Sequence, residues 1–245
     1  MRRITPLVAS LAVLSGLTSP AVALETPPLA SQAALDTIGS APSASRIERD
    51  VRTLVGFGSR HTLSDTTSET RGIGAARRWV FDEFTRISKA CGGCLEVRYV
   101  SGTVKVEPRI PGPAEVVSVI AIQRGTADPN RYVIMSGDID SRVSDVMNAT
   151  SDSPGANDNA SGLAGTLEAA RVLSQHRFSG SIVYAALAGE EQGLFGGKFL
   201  AEEAKNSRLA HRGRAQQRHD RQYHRHRWRD RQPYRARIRR RHARQ

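Results

Sequence analysis

Apolar residues recur along this chain in three rhythms, and each rhythm predicts a different kind of element. Ile47, Val51, Leu54 and Val55 follow Ser45 at helical spacing, so a capped helix is expected there, ending at Gly56 and Gly58. Ile73, Ala76, Trp79, Val80, Phe84 and Ile87 mark one face of a longer helix that begins around Ser68 and Arg71 and stops at Gly92-Gly93. Residues 95–100 and 103–106 alternate as in a hairpin, whereas 115–123, 132–135 and 181–188 are continuous apolar runs of strand length. Between and after the last two runs, 159–176 carries Leu163, Leu167, Ala170 and Leu173 on one helical face, and 193–206 carries Leu194, Phe195 and Leu200. Strand, helix, strand, helix, with strands apolar on both faces, predicts an α/β fold: a mostly parallel sheet flanked by helices.

The two ends of the chain break these rhythms. Met1-Arg2-Arg3, the apolar stretch 7–17 and Ala21-Val22-Ala23 have the layout of a cleavable export signal over 1–23, which predicts a periplasmic or secreted protein. The stretch is too short to span a bilayer, and no later segment reads as transmembrane. Residues 24–44, rich in Pro, Ala and Ser, read as a flexible leader, 45–206 as the α/β domain, and 207–245 as a disordered Arg- and His-rich tail.

Charge changes meaning once it is located. The net charge is +12, but 15 arginines and only 2 aspartates fall after Asn206, so the tail carries +13 and the remainder −1. The domain is therefore not basic, and no specific nucleic-acid partner is expected for it. Cys91-Gly92-Gly93-Cys94 contains both cysteines of the chain. In an oxidising compartment a small disulfide loop is the expected state, with free thiols or a redox pair as the alternatives.

The candidate chemistry lies after the apolar runs. Asp138 and Asp140 follow the second run, Glu190-Glu191 follow the third, and Asp158 sits in Pro154-Gly155-Ala156-Asn157-Asp158-Asn159-Ala160-Ser161-Gly162, which opens the intervening helix. In open parallel sheets, ligands bind beyond the carboxyl ends of strands, so these acids are expected on one edge. Alone, Asp158 reads as a helix cap. Beside two adjacent carboxylates it reads as an oxygen ligand, because buried carboxylates need a neutralising cation. Asp138 has two readings, a ligand or a solvated strand-end residue. His61 is a candidate for the cleft wall, and His176 for compensating a helix C-terminus.

The stretch 154–162, the helix after it, the strand 182–187 and Glu190-Glu191-Gln192-Gly193-Leu194 resemble the core pattern of the zinc-dependent metallopeptidase family twenty-eight, of aminopeptidase type. The resemblance implies a zinc-exopeptidase-like α/β sheet with two zinc ions acting on peptide substrates. It makes Asp158 the bridging carboxylate, Glu191 a ligand to one zinc and Glu190 the general base. Gly137-Asp138-Ile139-Asp140 departs from the family's pattern, since Asp138 stands where the family has a His. Asp138 is then an oxygen ligand that shifts metal preference toward harder ions, with Asp140 supporting it from behind.

Two further family ligands, an acid and a His, come from positions well beyond Asn206. In their place stands the tail, where Lys disappears and Arg, His and Gln dominate; it reads as translation of a shifted frame. On this account the chain is C-terminally truncated relative to the family. Two functions are thus expected in competition: a metal-dependent exopeptidase, and a non-catalytic degenerate fragment. In the second, the tail grips anionic polymers through its arginines with Tyr223, Trp228 and Tyr234, or holds metal loosely through His211, His219, His224, His226 and His242.

Overall fold

The structure, a computed structural model, describes residues 31–206. The expected export signal, the start of the leader and the tail lie outside the described residues. The elements run α1 (Gln32–Ser40), α2 (Ala44–Gly56), α3 (Gly72–Ala90), β1 (Leu95–Val104), β2 (Ala114–Gln123), β3 (Asp128–Asp138), an irregular turn (Ala156–Ser161), α4 (Gly162–Leu173), β4 (Gly180–Leu187), α5 (Glu190–Gly193) and α6 (Phe195–Asn206).

The fold is mixed α/β, with a four-stranded sheet in the order β1-β2-β4-β3 flanked by helices. Among the described residues only β3 and β4 pair in parallel; β1–β2 and β2–β4 are antiparallel. The expectation of a mostly parallel sheet is corrected here. A continuous apolar run reports burial on both faces, not strand direction, and β2 and β4 are interior strands covered on both sides. β3 is the exception among the runs, since Val133 and Ile134 are each 55% exposed at the border of the described sheet.

Two other elements differ from the sequence pattern. β1 is one strand from Leu95 to Val104 rather than a hairpin, because Gly102 lies within the strand and leaves room for the Phe199 ring of α6. Part of the 24–44 stretch is helical: Ser31 caps α1, its hydroxyl accepting from Ala34 N–H at 3.3 Å. Composition signals the lack of a core face, and none of the residues of α1 is buried.

Helices α2, α3 and α4 cover one sheet face, where Leu54, Val80, Phe84, Leu163, Leu167 and Tyr184 form the main core. Helix α6 covers the other, around Val100, Ile120, Ile122, Val183 and Ala185. A buried ionic knot joins the three helices of the first face: Arg171 of α4 binds Asp50 of α2 at 2.5 Å and Glu83 of α3 at 2.9 Å. Helix α3 terminates where Gly92 and Gly93 take φ of +76° and +85°, a left-handed turn that a side chain would strain, and Cys91 and Cys94 close this turn as a disulfide. Among the described residues, no helix is long and apolar enough to cross a membrane.

Candidate metal centre

The parallel pairing of β3 with β4 sets Asp138 opposite Leu187, so the carboxyl ends of both strands emerge on the same edge. A Cβ on Gly137 would collide with the backbone of Gly162 and Leu163, which means that the end of β3 lies directly on the start of α4. The irregular turn in between presents Asp158. Gly155 enters it with φ of +46°, Asp158 and Asn159 leave helical geometry, and the Asn159 side-chain oxygen accepts from Asp138 N–H at 3.1 Å. Gly155 and Ser161 precede the two helical segments, so Asp158 is not a helix cap, and it is exposed. On the other strand, Gly189 at φ +72° turns the chain so that Glu190 and Glu191 open α5.

Asp138, Asp158, Glu190 and Glu191 are thereby brought within electrostatic reach of one another. Burial pushes the Asp138 carboxyl up to about 6, and Glu190, Asp158 and Glu191 add to the rise. Burial also raises Glu190, helped by Glu191 and Asp158 and opposed by Arg142 and Arg109. Arg142 Nε donates to Glu191 Oε2 at 2.5 Å, and Arg109 donates to the Glu191 carbonyl at 2.7 Å. Glu190, Glu191, Arg142 and Arg109 border an open cleft of about 530 Å³ that Pro108 and Leu194 help to line; Asp138 and Asp158 are not part of its wall.

Neighbouring carboxylates that push up the pKa of Asp138 and Glu190 at one sheet edge are the donor chemistry a divalent cation neutralises. By charge, then, the residues fit a metal. By geometry they are only a partial set: among the described residues, no three His, Cys, Asp or Glu side chains form a group that could hold an ion. Asp158, Glu191 and Asp138 approach from three segments without closing on a common point.

Asp140 sits behind this edge and is fully buried. Burial raises its carboxyl to about 6, against hydrogen bonds from Thr62 and the amides of Glu191 and Glu190. Its Oδ1 accepts from Glu190 N–H at 3.3 Å and its Oδ2 from Glu191 N–H at 3.2 Å, so this carboxylate holds the turn that carries both glutamates.

Sequence reasoning missed Arg60 and Thr62, which a polar loop gave no reason to place inside. Arg60 is fully buried, and its guanidinium donates to the carbonyls of Ile139 (2.9 Å), Leu54 (2.9 Å), Pro154 (2.8 Å) and Gly155 (3.0 Å). One side chain thus ties the loop after Asp138 to the turn before Asp158. Burial lowers its pKa to about 10, and the nearby Asp140 opposes that fall. His61 does not line the cleft as the sequence suggested; it is fully buried, with Nε2 3.0 Å from the Val146 carbonyl. His176 and the Cys91–Cys94 disulfide lie near the far end of α4, away from the carboxylates, with Cys94 against Ser174.

The comparisons with known proteins agree with this layout. The chain is 47% identical over 165 residues to a probable zinc metalloprotease of Pyrenophora teres f. teres, a match covering 67% of this chain and 34% of that relative. It spans about a third of the length of that curated relative. Among solved structures, LapB from Legionella pneumophila is similar with a TM-score of 0.56 at 22% identity, over 74% of this chain and 44% of that one. A glutaminyl cyclase from Fimbriiglobus ruber shares the fold with a TM-score of 0.52 at 18% identity, over 69% of this chain and 57% of that one. The model of peptidase family M28 matches residues 118–215, the stretch that contains Asp138, Asp158, Glu190 and Glu191, and over that stretch this chain is similar to the family.

Proposed function

We propose that this chain carries part of the site of a zinc-dependent exopeptidase of aminopeptidase type, acting on peptides outside the cytoplasm. The observation that carries the proposal is the convergence of Asp138, Asp158, Glu190 and Glu191 at the carboxyl ends of β3 and β4, inside the stretch that matches the family. The disulfide Cys91–Cys94 supports an oxidising location. Asp158 would bridge two zinc ions, with Glu191 and Asp138 as further oxygen ligands. Zinc, when bound, supplies Lewis acidity toward the scissile carbonyl.

The remaining steps belong to the protein. Glu190 stands at the first position of α5, half-buried, with its pKa raised by burial and by the neighbouring Glu191 and Asp158, which strengthens it as a proton acceptor. It takes a proton from the attacking water and returns it to the leaving amine. Arg142 and Arg109 limit the rise by offsetting the negative charge of the adjacent pair.

The second reading, a non-catalytic chain, is favoured by the lack of a closed three-ligand group among the described residues. Release of nitroaniline from aminoacyl-nitroanilides by the purified chain separates the two. The expected result is hydrolysis that chelator abolishes and zinc restores. Hydrolysis unaffected by chelator, or none at any zinc concentration, sets the exopeptidase proposal aside.

A further inference from the structure

Arg60, His61 and Thr62 are three consecutive polar residues, all buried, in a loop that no core pattern requires. The role of Arg60 is visible in its four carbonyl partners. The role of the other two emerges from following the protons. His61 Nδ1 accepts the Leu63 amide hydrogen at 3.1 Å, so its proton resides on Nε2, where it meets the Val146 carbonyl. With the Gln192 amide nitrogen 3.0 Å from this Nε2 and its oxygen against Thr62 Oγ1, two N–H donors would face each other and the single Thr62 proton would have to serve two acceptors. We therefore assign the opposite amide orientation, with the oxygen toward His61. The amide nitrogen of Gln192 then faces Thr62 Oγ1, which is in contact with this side chain. With its acceptor role filled, the Thr62 hydroxyl has one proton left, and that proton goes to Asp140 Oδ2 at 2.9 Å.

Every group in this chain has one assignment, and it runs in one direction: His61 to Gln192, Gln192 to Thr62, Thr62 to Asp140. Asp140 in turn accepts the amides of Glu190 and Glu191. Gln192 is the next residue after that pair, so Thr62 grips the same turn twice, once through the buried carboxylate and once through the buried amide.

We infer that Thr62 is a positioning residue for the Glu190–Glu191 pair, fixing the turn on which the proposed base and a proposed ligand are carried. The consequence for metal binding rests on the function proposed above; the fixing of the turn does not. A hydroxyl at this point has no substitute among its neighbours, because Asp140 and His61 are committed to their other partners. Outer hydrogen bonds of this kind typically change metal affinity about 10–100-fold when removed.

The test compares Thr62→Val, which keeps the shape and removes the hydroxyl, with Thr62→Ser, which keeps the hydroxyl. Amide hydrogen exchange of the metal-free full chain is read first. In Thr62→Val the amides of Glu190 and Glu191 are expected to exchange at least about fivefold faster, as for the loss of one net hydrogen bond. The amides of Val119 and Ala121 in β2 should hold their rates, and Thr62→Ser should stay within about twofold of the parent, since it keeps that hydrogen bond. Unchanged exchange at Glu190 and Glu191, or equal acceleration throughout β2, overturns the inference. Zinc titration of the same proteins is read second, with about a 10–100-fold weaker affinity expected for Thr62→Val and recovery in Thr62→Ser. If the parent chain binds no zinc, the proposed metal centre fails, while the exchange result still decides the role of Thr62.

Discussion

Arg60→Met is expected to cost at least about 3–5 kcal/mol of folding stability, the range for breaking a buried charged interaction by removing one partner. The substitution leaves four carbonyls, those of Leu54, Ile139, Pro154 and Gly155, without their shared donor inside the protein. It also removes a buried positive charge that interacts with the buried Asp140. Each unsatisfied buried acceptor costs about 1–3 kcal/mol, and water cannot reach them all without opening the loops. Against a typical total of about 5–15 kcal/mol, a loss of this size leaves much of the population unfolded. Arg60→Lys keeps the charge but replaces a planar fork with one ammonium, so it should fall between the two. Urea unfolding followed by circular dichroism measures both. A loss below about 1 kcal/mol for Arg60→Met would mean that the carbonyls find other donors and that Arg60 does not hold the two loops together.

The second large effect is kinetic. Glu190→Gln should lower the rate of aminoacyl-nitroanilide hydrolysis by about 10²–10⁴-fold, the usual contribution of a positioned general base. The amide keeps the size of the carboxylate and its backbone bond to Asp140, but cannot take up the proton of the attacking water. Zinc affinity should change little, because the proposed ligands Asp158, Glu191 and Asp138 are untouched. That pairing of results distinguishes a base from a ligand. If Glu190→Gln loses zinc instead, the roles of Glu190 and Glu191 are exchanged; if the rate is unchanged, neither the base nor the proton path is as proposed.

Much of the fold is legible in the sequence because helices and strands that face a core carry a period. α3 is readable from Ile73 to Ile87, and its end from Gly92-Gly93, because burial on one face and a left-handed stop both leave direct marks. The direction of β2 is not legible. Its neighbours β1 and β4 both run against it, yet an interior strand shows the same apolar run whichever way its partners point. α1 escapes notice for the opposite reason: with none of its residues buried, it carries no pattern to read.

The candidate centre divides in the same way. Asp158 and Glu190-Glu191 are conspicuous because acids and glycines at strand and helix ends are unusual enough to stand out locally. Asp140 is visible only as one of a pair, and its two amide partners come from fifty residues away. Arg60 and Thr62 leave no sequence mark at all, and His61 suggests only a place on the cleft wall, which it does not take. Polar residues in a loop look solvated, and only the tertiary structure reveals that their partners are carbonyls, an amide and a carboxylate on four other segments.

The central claim is that the four acids at the ends of β3 and β4 are a metal centre rather than a cluster of strand-end charges. Isothermal titration of zinc into the chelator-stripped chain, beside Asp158→Asn, tests it most directly. Asp158 is the informative position because it is exposed and outside the hydrogen-bonded scaffold, so its replacement should spare the fold. The account predicts saturable binding by the parent chain and a loss of affinity of at least about tenfold in Asp158→Asn, with thermal stability of the metal-free proteins alike. No saturable binding by the parent, or equal binding by both, would contradict it.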